Sequence, residues 1–232
     1  MATVVPSFAP PGRRIGLLVP SPNTTMEPDF YRNAPPGWTV HTSRMYLRDT
    51  NIEDETRMID EYAIPAARVL ATARPDVIVF GCTSAGALRG NHYEDQLIEE
   101  IQQQAGVPTL SVMKCARSAL QELGASSLVV VTPYVDELNE RIRASLETDG
   151  FNVLAIRGLQ ILDALEIARV PRRRIIEFAD AAIGCLKPDA LFLSCTNFPA
   201  MEALPELRGK YNFPVTSSNK AALDKAIAKV QN

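Results

Sequence analysis

Short, unbroken apolar runs punctuate this chain at Gly16 to Val19, Val77 to Phe80, Leu128 to Val131 and Leu191 to Leu193. Between them, apolar residues recur at helical spacing over Asp54 to Ala73, Glu94 to Gln104, Val135 to Thr148 and Arg172 to Leu186. The first pattern predicts strands and the second helices. Strands without polar alternation are buried on both faces, so strand and helix in alternation predict βαβ units: an α/β fold with parallel sheets covered by helices. Such sheets bind ligands beyond the carboxyl ends of their strands.

The pattern occurs twice. RPDVIVFGCTS (74–84) returns as KPDALFLSCTN (187–197), so Pro75, Asp76, Cys82 and Thr83 recur as Pro188, Asp189, Cys195 and Thr196, each 113 residues later. The same offset carries Pro20, after IGLLV, onto Pro133, just past LVVV. A further echo pairs VPTLSVMK (107–114) with FPVTSSNK (213–220). Two similar domains are therefore expected, one formed by 13–118 plus 214–232 and one by 119–213, behind a Pro-rich flexible tail at 1–12. Two such halves bring equivalent strand ends face to face across a cleft, and here the equivalent residues are Cys82 and Cys195.

Composition narrows the chemistry. The 232 residues are 46% hydrophobic, enough for a substantial core, and a net charge of -3 with scattered Lys and Arg gives no basic face for nucleic acid. No apolar stretch approaches the ~20 residues that span a bilayer. The N-terminal residues lack the basic start and apolar core of a secretion signal, so a cytoplasmic protein is expected. The four cysteines, 82, 115, 185 and 195, contain no C-x-x-C pair, and only His41 and His92 could complete a metal site. With no Gly-rich dinucleotide fingerprint either, neither metal nor organic cofactor is expected.

Cys115 and Cys185 read as small apolar core residues. Cys82 and Cys195 lie one to two residues past strand ends, beside Thr83, Ser84, Thr196 and Asn197. Backbone N–H groups in such turns hold anions, and a thiol there is expected to have a lowered pKa. After the first strand, Asn23, Thr24 and Thr25 are helix caps or ligand contacts. Tyr134, after the third, is a packing residue or a phenol aimed into the cleft. Thr216 to Asn219 open the last helix as caps or carboxylate donors.

These residues resemble the aspartate/glutamate racemase superfamily, in the branch containing maleate cis-trans isomerase and arylmalonate decarboxylase. RIGLLVPSPNTTME (14–27) and TSRM (42–45) are most similar to maleate isomerases. The resemblance implies two flavodoxin-like domains related by a pseudo-twofold axis, with a cofactor-free site between them. It places the nucleophilic thiol on Cys82, its partner on Cys195, and carboxylate contacts on Asn23 and Tyr134. Maleate to fumarate isomerisation, on a small dicarboxylate substrate and in a homo-oligomer, is the expectation.

Other features keep alternatives open. Ala164 stands where maleate isomerases usually carry an Asn that binds substrate. GCTSAG (81–86) resembles the decarboxylase motif, in which a Thr and Ser pair binds one carboxylate and Gly replaces Cys82. SCTNFP (194–199) resembles the second-cysteine motif of amino-acid racemases. The alternatives are thus a racemase of α-substituted carboxylates, an arylmalonate-type decarboxylase, and a non-catalytic carboxylate-binding protein.

Overall fold

The computed structural model describes residues 12–231, so the tail expected at 1–12 lies, apart from Gly12, outside the described residues. The first half runs β1 (Arg14–Pro20), α1 (Met26–Asn33), β2 (Thr39–Met45), α2 (Ile52–Arg57), a π-helical turn (Met58–Tyr62), α3 (Ala63–Ala71), β3 (Val77–Phe80), α4 (Thr83–Ala87), α5 (Asn91–Ala105), β4 (Thr109–Ser111) and α6 (Val112–Glu122). The second runs β5 (Ser127–Thr132), α7 (Asp136–Thr148), β6 (Asn152–Gly158), α8 (Ala164–Ala168), α9 (Arg172–Ile183), β7 (Ala190–Leu193), a 3-10 turn (Ala200–Glu202), α10 (Leu204–Lys210), β8 (Val215–Ser217) and α11 (Ser218–Gln231).

Each half builds one four-stranded parallel sheet, in the orders β2-β1-β3-β4 and β6-β5-β7-β8. The registers repeat too: Ile15 pairs with Val77 and Leu18 with Phe80, while Leu128 pairs with Ala190 and Val131 with Leu193. Cys82 and Cys195 therefore leave their sheets at equivalent points. The central strands are sealed on both faces, with Leu17, Leu18, Val79, Val130 and Phe192 wholly buried. Burial of each such large side chain is worth ~1.5–3 kcal/mol, so these strands are rigid mounts for the residues at their ends.

The apolar runs predicted four strands, and all four are present. The other four strands, β2, β4, β6 and β8, form the sheet edges, and β2 and β6 mix polar and apolar residues. The helix expected over Asp54 to Ala73 is broken by the π turn, and the one expected to reach Leu186 ends at Ile183, where Gly184 turns the chain at φ +49. Cys185 therefore lies past the helix and is exposed, which corrects its expected place in the core.

β8 pairs with β7, so residues 215–217 complete the second sheet, and a boundary at 214 separates this strand from its partner. The following helix does cross over: Ala222, Leu223 and Ala226 of α11 pack with Ile15, Leu17 and Val19 of β1. Buried Arg117 of α6 pairs with Glu94 of α5 in its own half at 2.8 Å and, across the halves, with Asp149, after α7, at 2.6 Å. Among the described residues no helix is long and apolar enough to cross a membrane.

Candidate active site

The carboxyl ends of β1, β3, β5 and β7 converge on a cavity between the halves. It is lined by Asn23 and its flanking prolines, by Leu47, Thr50 and Glu55, and by both site cysteines with Ser84, Tyr134, Ala164, Ile167, Thr196 and Asn197. Its volume is small, ≈ 20 Å³, room for about one water molecule. Cys82, Cys195, Asn23, Ser84, Tyr134, Thr196 and Asn197 are thus brought together as their sequence positions suggested. Thr83 is not on the cavity wall: it is wholly buried, and its hydroxyl donates to Ser218 at 3.0 Å.

Glycine fixes two of these positions. A Cβ on Gly81, just before Cys82, would lie 2.6 Å from the Met26 sulfur and 2.9 Å from the Leu18 carbonyl oxygen. One on Gly158 would lie 2.0 Å from the Tyr134 carbonyl oxygen. Real Cβ atoms do not approach so closely, so Gly81 lets β3 deliver Cys82 and Gly158 lets β6 pass behind Tyr134.

Hydrogen bonds stitch the halves around the thiols. Asn23 accepts from the N–H groups of Thr25 and Met26, so it does the capping work that the Thr25 side chain does not, and its amide donates to Thr196 Oγ1 at 2.9 Å. Thr196 in turn donates to the Gly81 carbonyl at 2.9 Å. Asn197 accepts from the Thr24 N–H and donates to the Ala164 carbonyl. Ser218 opens α11 and accepts from both Thr83 and the Cys195 N–H, so the end of the chain braces both cysteine loops. At cavity-lining Thr50, the backbone N–H donates to the carbonyl of exposed Leu162 at 3.1 Å.

Burial dominates the electrostatics. The Cys82 thiol is pushed well above its ordinary range by desolvation and then by Glu55, against weaker help from the Ala85 N–H and the Ser84 hydroxyl. Cys195 is pushed up to about 11 by burial, opposed by the Tyr134 phenol and the N–H groups of Asn197 and Phe198. The expected lowering of thiol pKa is therefore corrected. Among the described residues no Arg, Lys or His lines the cavity, and the single short turn of α4 cannot offset the loss of water. Tyr134 is raised for the same reason. Among the described residues no group of three or more His, Cys, Asp or Glu converges as metal ligands.

Glu55 is the residue that the sequence reading missed. It is completely buried, accepts from Ser84 Oγ at 2.5 Å through Oε1, and has no partner at Oε2. Burial raises its carboxyl to about 8, with the Ser84 hydrogen bond opposing. In IEDETR it looks like one more charge on a solvated helix. The available signal was the apolar stripe of Ile59, Ala63, Ala66, Ala67 and Leu70, which, traced one turn back, lands on Glu55.

Known proteins share this fold. The maleate isomerase of Geobacillus stearothermophilus is 28% identical over 228 residues, spanning 92% of this chain and 90% of the relative. A liganded double mutant of arylmalonate decarboxylase superposes with a TM-score of 0.88 at 24% identity, covering 94% of this chain and 92% of that one. A cysteine-to-serine mutant of the Nocardia farcinica maleate cis-trans isomerase, with a covalently bound succinylcysteine intermediate, superposes at 0.84 with 26% identity, covering 94% and 93%. The arylmalonate decarboxylase family matches residues 15–232, which take in every strand of both sheets except Arg14. The chain belongs to this family.

Proposed function

We propose that the protein is a cofactor-independent isomerase of a small dicarboxylate, converting maleate to fumarate through its two cavity thiols. The observation that carries this reading is the pair of buried cysteines, one from each half, on one cavity together with Tyr134, Asn23 and Ser84. In this reaction the Cys82 thiol, held protonated by burial, first gives up its proton to solvent; the thiolate then attacks one alkene carbon, and the π electrons move toward the other carbon and its carboxylate. The Cys195 thiol protonates that second carbon, leaving a saturated succinyl thioether with a freely rotating C2–C3 bond. After rotation Cys195 takes the proton back, the S–C bond breaks with its electron pair returning to Cys82, and the trans double bond forms. Tyr134 and the second N–H of the Asn23 amide are neutral donors for the carboxylates in a dry site, while the Ser84 proton is held by Glu55.

The succinylcysteine in the Nocardia farcinica relative supports this chemistry by analogy. Decarboxylation of an arylmalonate is the second reading, supported by the family match and by Ser84 beside the site; two thiols favour the isomerase, since removal of CO2 needs only one proton donor. Cys195→Ser protein incubated with maleate tests the assignment. Mass spectrometry is expected to find the mass of one maleic acid added to the peptide holding Cys82. An adduct confined to Cys115 or Cys185 would contradict it.

A further inference from the structure

Two thiols, a phenol and the Glu55 carboxyl face one cavity in which, among the described residues, no lining side chain is basic. A dicarboxylate would bring two negative charges into it, and an ionised Glu55 would add a third with no cation to offset it. We propose that Glu55 is a substrate-binding residue acting as a neutral carboxylic acid, with Ser84 holding one oxygen while the other donates its proton to a substrate carboxylate. This inference rests on the dicarboxylate reading above.

Three observations carry it. Ser84 fixes the Glu55 side chain at 2.5 Å, and Oε2 is buried without any hydrogen-bond partner, a state that is costly unless a ligand supplies one. Ala164 lines the same cavity with a methyl group, and its carbonyl is taken by Asn197, so that wall offers no side-chain donor. No charge near Glu55 favours ionisation. On its own helix Glu53 is exposed, and Asp54 is held by Asn51 and Arg48. In the π turn Asp60 is paired with Arg89. Across the cavity stand only Cys82, Cys195 and Tyr134.

With its carboxyl raised to about 8, Glu55 already holds its proton at neutral pH. A ligand that binds the protonated form has constant affinity below that value and loses about tenfold per pH unit above it, because each binding event must then take up a proton.

The test is calorimetric titration with succinate, a saturated diacid that offers no double bond to a thiol, in buffers of different ionisation enthalpy. The wild-type protein is expected to take up close to one proton per succinate at about pH 9 and almost none near neutrality. Glu55→Leu should bind about 10- to 100-fold more weakly near neutrality. Glu55→Gln, whose amide can accept from Ser84 and donate to the ligand, should recover most of that affinity and lose the pH dependence. Thermal melts are expected to show Glu55→Leu at least as stable as wild type at alkaline pH, so that its weak binding is not unfolding. Binding by wild type that is flat with pH and takes up no proton would overturn the proposal. So would a Glu55→Gln variant that binds normally but loses more than about 100-fold in maleate turnover, since Glu55 would then be a base drawing the Cys82 proton through Ser84. A parallel maleate assay separates the two claims. Proton-linked succinate binding without fumarate sinks the reaction alone, fumarate with pH-flat binding sinks the Glu55 role alone, and failure of both diacids to bind sinks both.

Discussion

The helix after the second strand carries Glu55 in the first half, and 113 residues later the second half has Ala168. The loop after the first strand of each half differs as well, with Ser21 in the first half where Tyr134 stands in the second, and the second strand ends on Met45 in the first half and on Gly158 in the second. Yet β1, β2 and β3 map onto β5, β6 and β7 at that same offset, and so do the two thiols. The repeated scaffold thus places a thiol on each side of the cavity. The unmatched residues give the two sides different chemistry, a carboxyl beside Cys82 and a phenol beside Cys195.

The sharpest way to break this comparison is to remove each thiol in turn. Cys82→Ser and Cys195→Ser should each raise the barrier to turnover by at least ~3 kcal/mol, with melting temperatures nearly unchanged. They should differ in one respect: with maleate, Cys195→Ser accumulates a covalent adduct and Cys82→Ser does not. Equal adduct yields from both would mean that the thiols are interchangeable.

The phenol side is tested by Gly158→Ala. Its methyl group must displace the Tyr134 carbonyl, which should destabilise the fold by ~1–3 kcal/mol in denaturant titrations and also lower kcat/KM. Full activity and stability would show that Tyr134 need not be held where it is.

The carboxyl side is tested through stability. Glu55 has its folded carboxyl raised from an ordinary 4.5 to about 8, so the folded state holds the proton more tightly than the unfolded chain. Its contribution is fully present below about pH 4.5 and is lost as pH rises to about 8, by at most ~1.4 kcal/mol per pH unit. Asp29, raised to about 6 mainly by burial, acts in the same direction over a lower window. Glu55→Gln should therefore gain stability over wild type as pH rises from 5 to 8, whereas changes at Ala168 should not alter the pH slope. Parallel unfolding curves for wild type and Glu55→Gln would contradict the raised carboxyl.

The smallest expected effect lies outside the cavity. Exposed Cys185 should react with iodoacetamide before buried Cys82, and Cys185→Ser should leave turnover within a few fold. Peptide mapping that finds Cys82 labelled first at neutral pH would restore the low-pKa thiol anticipated from its position at a strand end.

How far these features could be read in advance follows from burial. Central strands sealed on both faces leave continuous apolar runs, so β1, β3, β5 and β7 and the cysteines beyond them were legible. β2 and β6 lie at sheet edges, and the mixed TVHTSRM and NVLAIRG give no run to read. Cys185 was misplaced because the helical pattern continues past Gly184, whose backbone turns the chain. Glu55 was hidden because an acidic residue in a charged segment ordinarily faces water, and only the cavity between the halves makes its burial intelligible.

The most direct test of the central claim is an NMR time course of maleate with the protein in D2O, run beside Cys82→Ser. The maleate vinyl signal is expected to give way to that of fumarate, with no added metal or cofactor, and Cys82→Ser to leave maleate unchanged. Maleate that persists with folded wild-type protein, while an arylmalonate loses CO2 or a chiral amino acid exchanges its α-hydrogen, would contradict the claim.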